Sequence, residues 1–548
     1  MKKVLSLIVC LALLVGCFAG CGGGTSSQSS SASDSSSAST EDSGSGDESQ
    51  AEDFSGTITI NTQAGLGATE AWQAVADAYM EMHPNVNVVV DLKAAEGYAE
   101  WIKAMFASEN PETDLVNINM AGPDAGDKAI NYMEYAYNDS PYSDGPWNEQ
   151  FEFRVQGANL ATNYWNALSL ESVQVLWFYN QDIFDEVGIT TTPSTWDEFV
   201  AICEQLDAAG YQPLSVAGDF NSFWAGAMGW LAQIYVDQTT RSMINTYRAQ
   251  EGDYCYDPDI DANWEYDPTD PWNDDTWVVT TNTTRAWKAV YEGEYRADTP
   301  GMKTVWTNFA KIFPKYAGGD AFFGTTSATE LFYQGKAAIM VDGAWRLANF
   351  KQDMEKLAAG EDITVGENAV EGVKPFNLGH FNMPSMEGEG IEAPARTLEV
   401  AVGFIGAVKK DKAHDDMVMD FLMYYSSAEG FGKYWAAGMD AGMVPNGMSY
   451  VYGVELPEEY ATLFDGLTPI GNCQKGCGQM LARGIGDVQE ALRDWYGISQ
   501  EFLEGKITVD EWATQNQEIQ MSHIETAMGD GVSIEDLEHP ENEPAGKE

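Results

Sequence analysis

The sequence predicts an α/β protein of more than one lobe, and three observations predict it. Stretches of strand length, alternating or wholly apolar, repeatedly hand over to stretches with helical spacing. A chain of 548 residues with 44% hydrophobic and 12% aromatic content can bury more than one core, at roughly 100–200 residues per domain. The handover is sharpest over residues 176–199, LWFYNQDIFDEVGITTTPSTWDEF. There an apolar run ends at Tyr179-Asn180-Gln181-Asp182, and a short helix carrying Ile183, Phe184 and Val187 is stopped by Gly188. Thr195 and Glu198 then have capping-box spacing ahead of a helix with Trp196, Phe199, Val200, Cys203 and Leu206 on one face.

Taken from the start, Met1-Lys2-Lys3 and the apolar residues 4–16 form a basic n-region and an h-region too short to span a bilayer. Residues 1–20 are therefore read as an export signal. Residues 21–54 are Ser, Gly, Asp, Glu and Gln with almost nothing apolar, a composition that cannot offset the entropy of folding and reads as a disordered tether. Gly56-Thr57-Ile58-Thr59-Ile60 is an alternating strand, Gly65-Leu66-Gly67 a tight turn, and Trp72, Val75, Ala76, Tyr79 and Met80 a helix face. Strands at 86–91 and 114–119 flank a helix carrying Tyr98, Trp101, Ile102, Met105 and Phe106. Such alternation implies a largely parallel sheet, whose ligands bind beyond the carboxyl ends of its strands, so Gln63 and Asn119 are cleft candidates. Further strands are expected at 211–217, ahead of Asp219 and Trp224, and at 337–341, ahead of Asp342 and Trp345, with one more unbroken from 400 to 408. Residues 237–300, rich in Asp, Asn, Trp and Tyr, read as an insertion, and residues 529–548 as a loose acidic tail.

Two segments carry a family resemblance. The 176–199 stretch resembles the YNKD…G-P-TWDEF signature of the family 1, maltose-binding-like solute-binding proteins of ABC importers, and Phe332 to Trp345 resembles their F-GKAAM…G-W segment. Phe381-Asn382-Met383-Pro384 and residues 438–445 resemble that family's crossovers between lobes. The resemblance implies a two-lobed periplasmic-binding-protein-like (type II) fold with hinge crossovers and a cleft between the lobes. Lobe 1 is expected to comprise 55–170 and 396–428, and lobe 2 to comprise 171–395 and 429–528. It also implies ligand contacts from Trp224 and Trp345, and from Glu171, Trp435 and Arg483 near the crossovers and the C-terminal segment. Leu14 to Cys21 resembles a bacterial lipoprotein signal with two overlapping ends, and Cys21 is favoured over Cys17 because a glycine-rich linker follows it directly.

The chemistry agrees with a receptor. Lys plus Arg total 29 against 85 Asp plus Glu, a formal net charge of -56, which disfavours nucleic acid and anionic membrane as partners. No GxSxG, HExxH or GxxxxGK[ST] occurs in the folded part, and Gly65-Leu66-Gly67 does not extend to a dinucleotide fingerprint. The histidines lack metal-ligand spacing, and Asp257, Asp259, Asp261 and Asn263 lack the glycine and closing glutamate of a calcium loop. Cys473 and Cys477 stand as a local disulfide or two free thiols. Sugars pack C–H faces on aromatic rings and need amide, carboxylate or guanidinium partners for their hydroxyls, and Trp224 near Asp219 and Trp345 near Asp342 have that pairing. The expectation is a monomeric, cofactor-free, metal-free, non-catalytic receptor on the outer face of the membrane, delivering an oligosaccharide to ABC permease subunits. The alternatives are a surface-anchored glycan-degrading enzyme and a binding protein for a peptide or other polar solute.

Overall fold

The computed structural model describes residues 54–547 apart from 109–110, 159–162, 276, 366–367, 475–476 and 487. The export signal, Cys17, Cys21 and nearly all of the expected tether lie outside the described residues. Eleven strands are found among those described: β1 (Gly56–Ile60), β2 (Val86–Val90), β3 (Leu115–Asn117), β4 (Glu171–Asn180), β5 (Gln212–Ser215), β6 (Ala337–Gly343), β7 (Thr364–Val365), β8 (Asn368–Ala369), β9 (Leu378–Phe381), β10 (Glu399–Val402) and β11 (Ile405–Ala407).

The first sheet has the order β11-β3-β1-β2, parallel except for β11. Ile58, Ile60 and Leu115 face a core filled from the helices Ala68–Met82 and Lys412–Tyr425, while Val116 packs on the other side with Tyr98, Ile102 and Phe106. The second sheet has the order β10-β4-β6-β5. Its central strand β4 is buried along nearly its whole length, as a strand covered on both faces must be. The two-residue period sorts its side chains: Val175 and Trp177 join a core with the helices Trp196–Ala208, Ala227–Asp237 and Pro300–Ile312, and Leu176 and Phe178 join another with Phe332, Tyr333 and Phe350. β10 pairs with Glu171–Gln174 and β9 with Trp177–Asn180. The local signals at 176–199 form as expected: Gly188 closes its helix at φ 84°, and Thr195 and Glu198 make a reciprocal capping box.

Elsewhere the chain departs from the sequence reading. The strand expected to run unbroken from 400 to 408 is two strands in two sheets, because Gly403 (φ 111°) and Phe404 (φ 49°) turn the backbone between them. Residues 399–402, expected in lobe 1, therefore belong to the second sheet. The helix Ala428–Asp440, expected in lobe 2, lies against Ala68–Met82 and puts Phe431, Trp435 and Met439 into the first core. The 114–119 stretch is strand only to Asn117, after which a 3₁₀ turn, Ile118–Met120, carries Asn119.

The acidic tail is docked rather than loose. Val532 and Leu537 share a small core with Trp287 and Val290 of the insertion, and the Pro540 carbonyl accepts from Asn282 Nδ2 at 2.7 Å. The Asp257, Asp259 and Asp261 run is likewise structural. Asp257 caps the helix Pro258–Asp261, and Asp261 accepts from the Thr280 and Asp257 N–H groups at 2.8 and 3.0 Å. Cys203, Cys255 and Cys473 are free thiols, and no disulfide joins Cys473 to Cys477.

Candidate functional site

Among the described residues three chain segments join the sheets. Leu168 and Ile405 exchange N–H···O bonds of 2.9 and 2.8 Å, Glu171 lies opposite Val402, and a third segment adds Ser172 N–H to the Met448 carbonyl (2.9 Å) and Tyr450 N–H to the Leu170 carbonyl (2.8 Å). Glu171, the first residue of β4, thus stands where the lobes meet. Its carboxylate accepts from the Trp435 indole N–H, on the lobe-1 helix, and from Asn446 Nδ2, on the third segment. Burial of the carboxyl raises its pKa above the ordinary 4.5, and the two donors only partly oppose this.

From this point a line of aromatic and polar groups runs along lobe 2. A Cβ on Gly447 would lie 3.4 Å from Ala344 Cβ, which places Asn446 beside the end of β6. The Trp345 ring folds back over Gly343, where a Cβ would come within 2.1 Å of it, so Gly343 is what permits that pose. Trp345 meets the edge of Trp230 with centroids 6.3 Å apart, and Trp230 neighbours Gly226 at the end of the helix Phe220–Ala225. Trp224 follows on that helix. Arg483 donates to its carbonyl at 2.6 Å and lies over its ring at 5.8 Å, with Gln233 beside the guanidinium and Gln474 and Gln479 beside Gln233. Trp224 and Trp345 are part-exposed. The Trp224 indole N–H and Asp219 Oδ2 are buried without a hydrogen-bond partner among the described residues, the condition a hydroxyl-bearing ligand would relieve.

The structure therefore brings together Glu171 with Trp435, and Trp224 with Arg483, and links both to Trp345. Trp435 is buried and reaches the site through its N–H rather than its ring face. The two acids paired with tryptophans in the sequence are committed elsewhere. Asp219 Oδ1 caps the helix that carries Trp224, at 3.1 Å from Asn221 N. Asp342 accepts from Gly343 N at 2.8 Å and is ion-paired with Arg346, at 3.0 Å from its Nε. Gln63 and Asn119 lie on the lobe-1 side. The Gln63 N–H donates at 2.7 Å to Asn117, which reaches across to the Gly403 carbonyl at 2.8 Å, so Asn117 rather than Asn119 touches the hinge. Sequence reasoning missed Asn117, Asn446 and Trp230. Asn446 follows Pro445 in the crossover, a signal that was available, whereas Trp230 is hidden in the apolar run of its helix. Among the described residues no group of three or more His, Cys, Asp or Glu is arranged to hold a metal.

Two lobes on separate sheets, a three-segment hinge and an aromatic-polar line beginning at that hinge define a two-lobed binding protein. A profile of the bacterial extracellular solute-binding protein family matches residues 65–430, and the chain belongs to that family. Comparison with curated sequences finds no match. Among solved structures it is similar to a cyclic alpha-maltosyl-1,6-maltose binding protein from Arthrobacter globiformis, at 13% identity and TM-score 0.53 over 86% of this chain and 100% of that one. It is also similar to a family 1 extracellular solute-binding protein from Bifidobacterium longum subsp. infantis (12%, 0.52, 86% and 100%). The apo-form of RafE from Streptococcus pneumoniae is a third (14%, 0.53, 86% and 99%). At these identities the likeness establishes the fold.

The raised pKa of Glu171 has a measurable consequence. A carboxyl whose folded-state pKa lies above its unfolded value favours the folded state most below the unfolded value, and that advantage is lost as pH rises through the window up to the folded value. Glu171→Gln has no charge to bury, and Asn446 can turn its own carbonyl toward the new amide. The melting temperature of the wild type, measured against that of Glu171→Gln, is expected to fall as pH climbs from about 4.5 and then level off; parallel curves would show that the burial of Glu171 is without effect.

Proposed function

We propose that this protein is a lipid-anchored, non-catalytic receptor that captures an oligosaccharide between its lobes and delivers it to the permease of an ABC importer. The observation that carries the reading is the pair of part-exposed rings Trp224 and Trp345, bridged by the buried Trp230, with Arg483 at one end and Glu171 and Asn446 at the other. Aromatic faces take sugar C–H surfaces, and amide, guanidinium and carboxylate groups take the hydroxyls. The unpartnered Trp224 N–H and Asp219 Oδ2 offer a donor and an acceptor more. Membership of an extracellular solute-binding family supports a receptor, and the Arthrobacter neighbour is itself named for a maltosyl sugar. Gln63 and Asn119 are proposed to supply contacts from the lobe-1 side when the lobes close about the hinge. Asp219 and Asp342 act mainly by positioning Trp224 and the end of β6.

Titration of tryptophan fluorescence with maltotriose, raffinose, xylotriose and chitotriose tests this directly. One of these classes is expected to give a saturable change. Trp345→Ala and Trp224→Ala, in protein that keeps its melting temperature, are expected to weaken it by roughly 10- to 100-fold, about 1.4–2.7 kcal/mol. After prolonged incubation the sugar should be recovered at its original length; shortened products would point to an enzyme, and silence across the panel would remove carbohydrate from the proposal.

The anchor is proposed at Cys21, where the membrane lipid would replace a spanning helix; among the described residues no helix is long and apolar enough to cross a membrane. Labelling with radioactive palmitate in a bacterial host should survive Cys17→Ser and disappear in Cys21→Ser, and the reverse pattern would move the anchor to Cys17.

A further inference from the structure

Within the insertion, residues 265–275 and 277–280 belong to a loop stiffened by its own acids. Asp267 and Asp270 accept from the N–H groups of Thr269 and Trp272, at 2.8 and 2.9 Å, each closing a local turn. Its middle is rooted in lobe 2. Arg396, 1% exposed and three residues before β10, holds Asp274 and Asp237 together and donates to the Pro271 carbonyl at 3.1 Å. A buried charge cluster of this kind resists displacement, because separating its members leaves a charge unpaired in the interior.

The same stretch also reaches lobe 1, with Trp272 lying between Pro271 and Asp274 in sequence. Trp277 meets Phe153 edge-on with centroids 4.9 Å apart, and Phe153 is part of the lobe-1 core. Arg154 lies over the Trp272 ring at 5.7 Å. Between this loop, lobe 1 and the hinge is a cavity of about 190 Å³ lined by Val155, Trp272, Glu399, Tyr450 and Tyr452. The contact is thus a seam of two aromatic contacts and the attraction between Asp275 and Arg154, not a fused core.

We propose that residues 265–275 and 277–280 are a hinge-side strap that restrains rotation of one lobe on the other. Because the loop is fixed to lobe 2 at Arg396 and touches lobe 1 at Phe153 and Arg154, any rotation about the hinge segments must shift or release the two aromatic contacts. The strap adds a barrier to lobe movement that the three hinge segments alone would lack.

Hydrogen exchange on the ligand-free full-length chain tests this without reference to any sugar, so its outcome is separate from that of the carbohydrate reading. In Trp272→Ala/Trp277→Ala, the hinge amides of Leu168, Ser172, Ile405 and Tyr450 are expected to exchange roughly tenfold faster. Amides of β1, β2 and the helix Trp196–Ala208 should keep their wild-type rates. Arg154→Gln, which alters an exposed side chain and leaves both cores intact, should give the same pattern at smaller amplitude. Unchanged hinge exchange in both variants overturns the strap. So does faster exchange throughout the lobe-1 core, which would make Trp277 an ordinary core residue.

Discussion

The structure depends on a pair of backbone segments, 168–171 and 402–405, that run side by side from one sheet into the other. Their reciprocal hydrogen bonds at Leu168 and Ile405 belong to the first sheet's side, and the pairing of Glu171 with Val402 belongs to the second. A sheet tolerates no such change of partner without a break, and here Gly403 and Phe404, both at positive φ, provide it. The lobes can therefore be separately packed, each with its own core, and yet be connected by segments whose dihedrals can absorb a rotation. The third segment, through Asn446 to Tyr450, narrows that freedom and delivers Asn446 to the acid at the centre of the hinge.

A carboxylate at this point is bonded to both sides of the hinge. Glu171 is bonded to a lobe-1 helix through Trp435 and to the crossover through Asn446, so a ligand that competes for either donor acts on the hinge itself. The same economy recurs at Arg396. In a chain with a large excess of acidic over basic residues, Arg396 bridges the buried Asp237 and Asp274, Arg241 pairs with Asp237 as well, and the cluster fastens the insertion to the strand that enters the hinge. Replacing such a cluster with apolar side chains need not destabilise a protein, so its value here lies in fixing where the insertion sits.

Much of this was legible because its signals are local. The stop at Gly188, the Thr195–Glu198 capping box and the buried face of Trp196, Phe199, Cys203 and Leu206 need only neighbours within a few residues. The break at Gly403 was not legible, since the alternation of apolar residues continues across it while the partner strand changes. Nor could the apolar face of Phe431, Trp435 and Met439 say which lobe it covers, because a helical stripe records burial and not its partner. The tail looked loose for a similar reason: Val532 and Leu537 are sparse among acids, and only the insertion they dock on gives them a core. At the candidate site, Trp224 and Trp345 are part-exposed on one line, but their nearby aspartates are a helix cap and an ion pair, roles that serve the backbone before any ligand.

The central claim is that two separately packed lobes close around a sugar bound at their hinge. Small-angle X-ray scattering, with and without saturating amounts of whichever oligosaccharide alters the tryptophan signal, measures this most directly. The account predicts a smaller radius of gyration with ligand, and no such change with a sugar that fails to bind. Identical scattering curves under saturating ligand would contradict it.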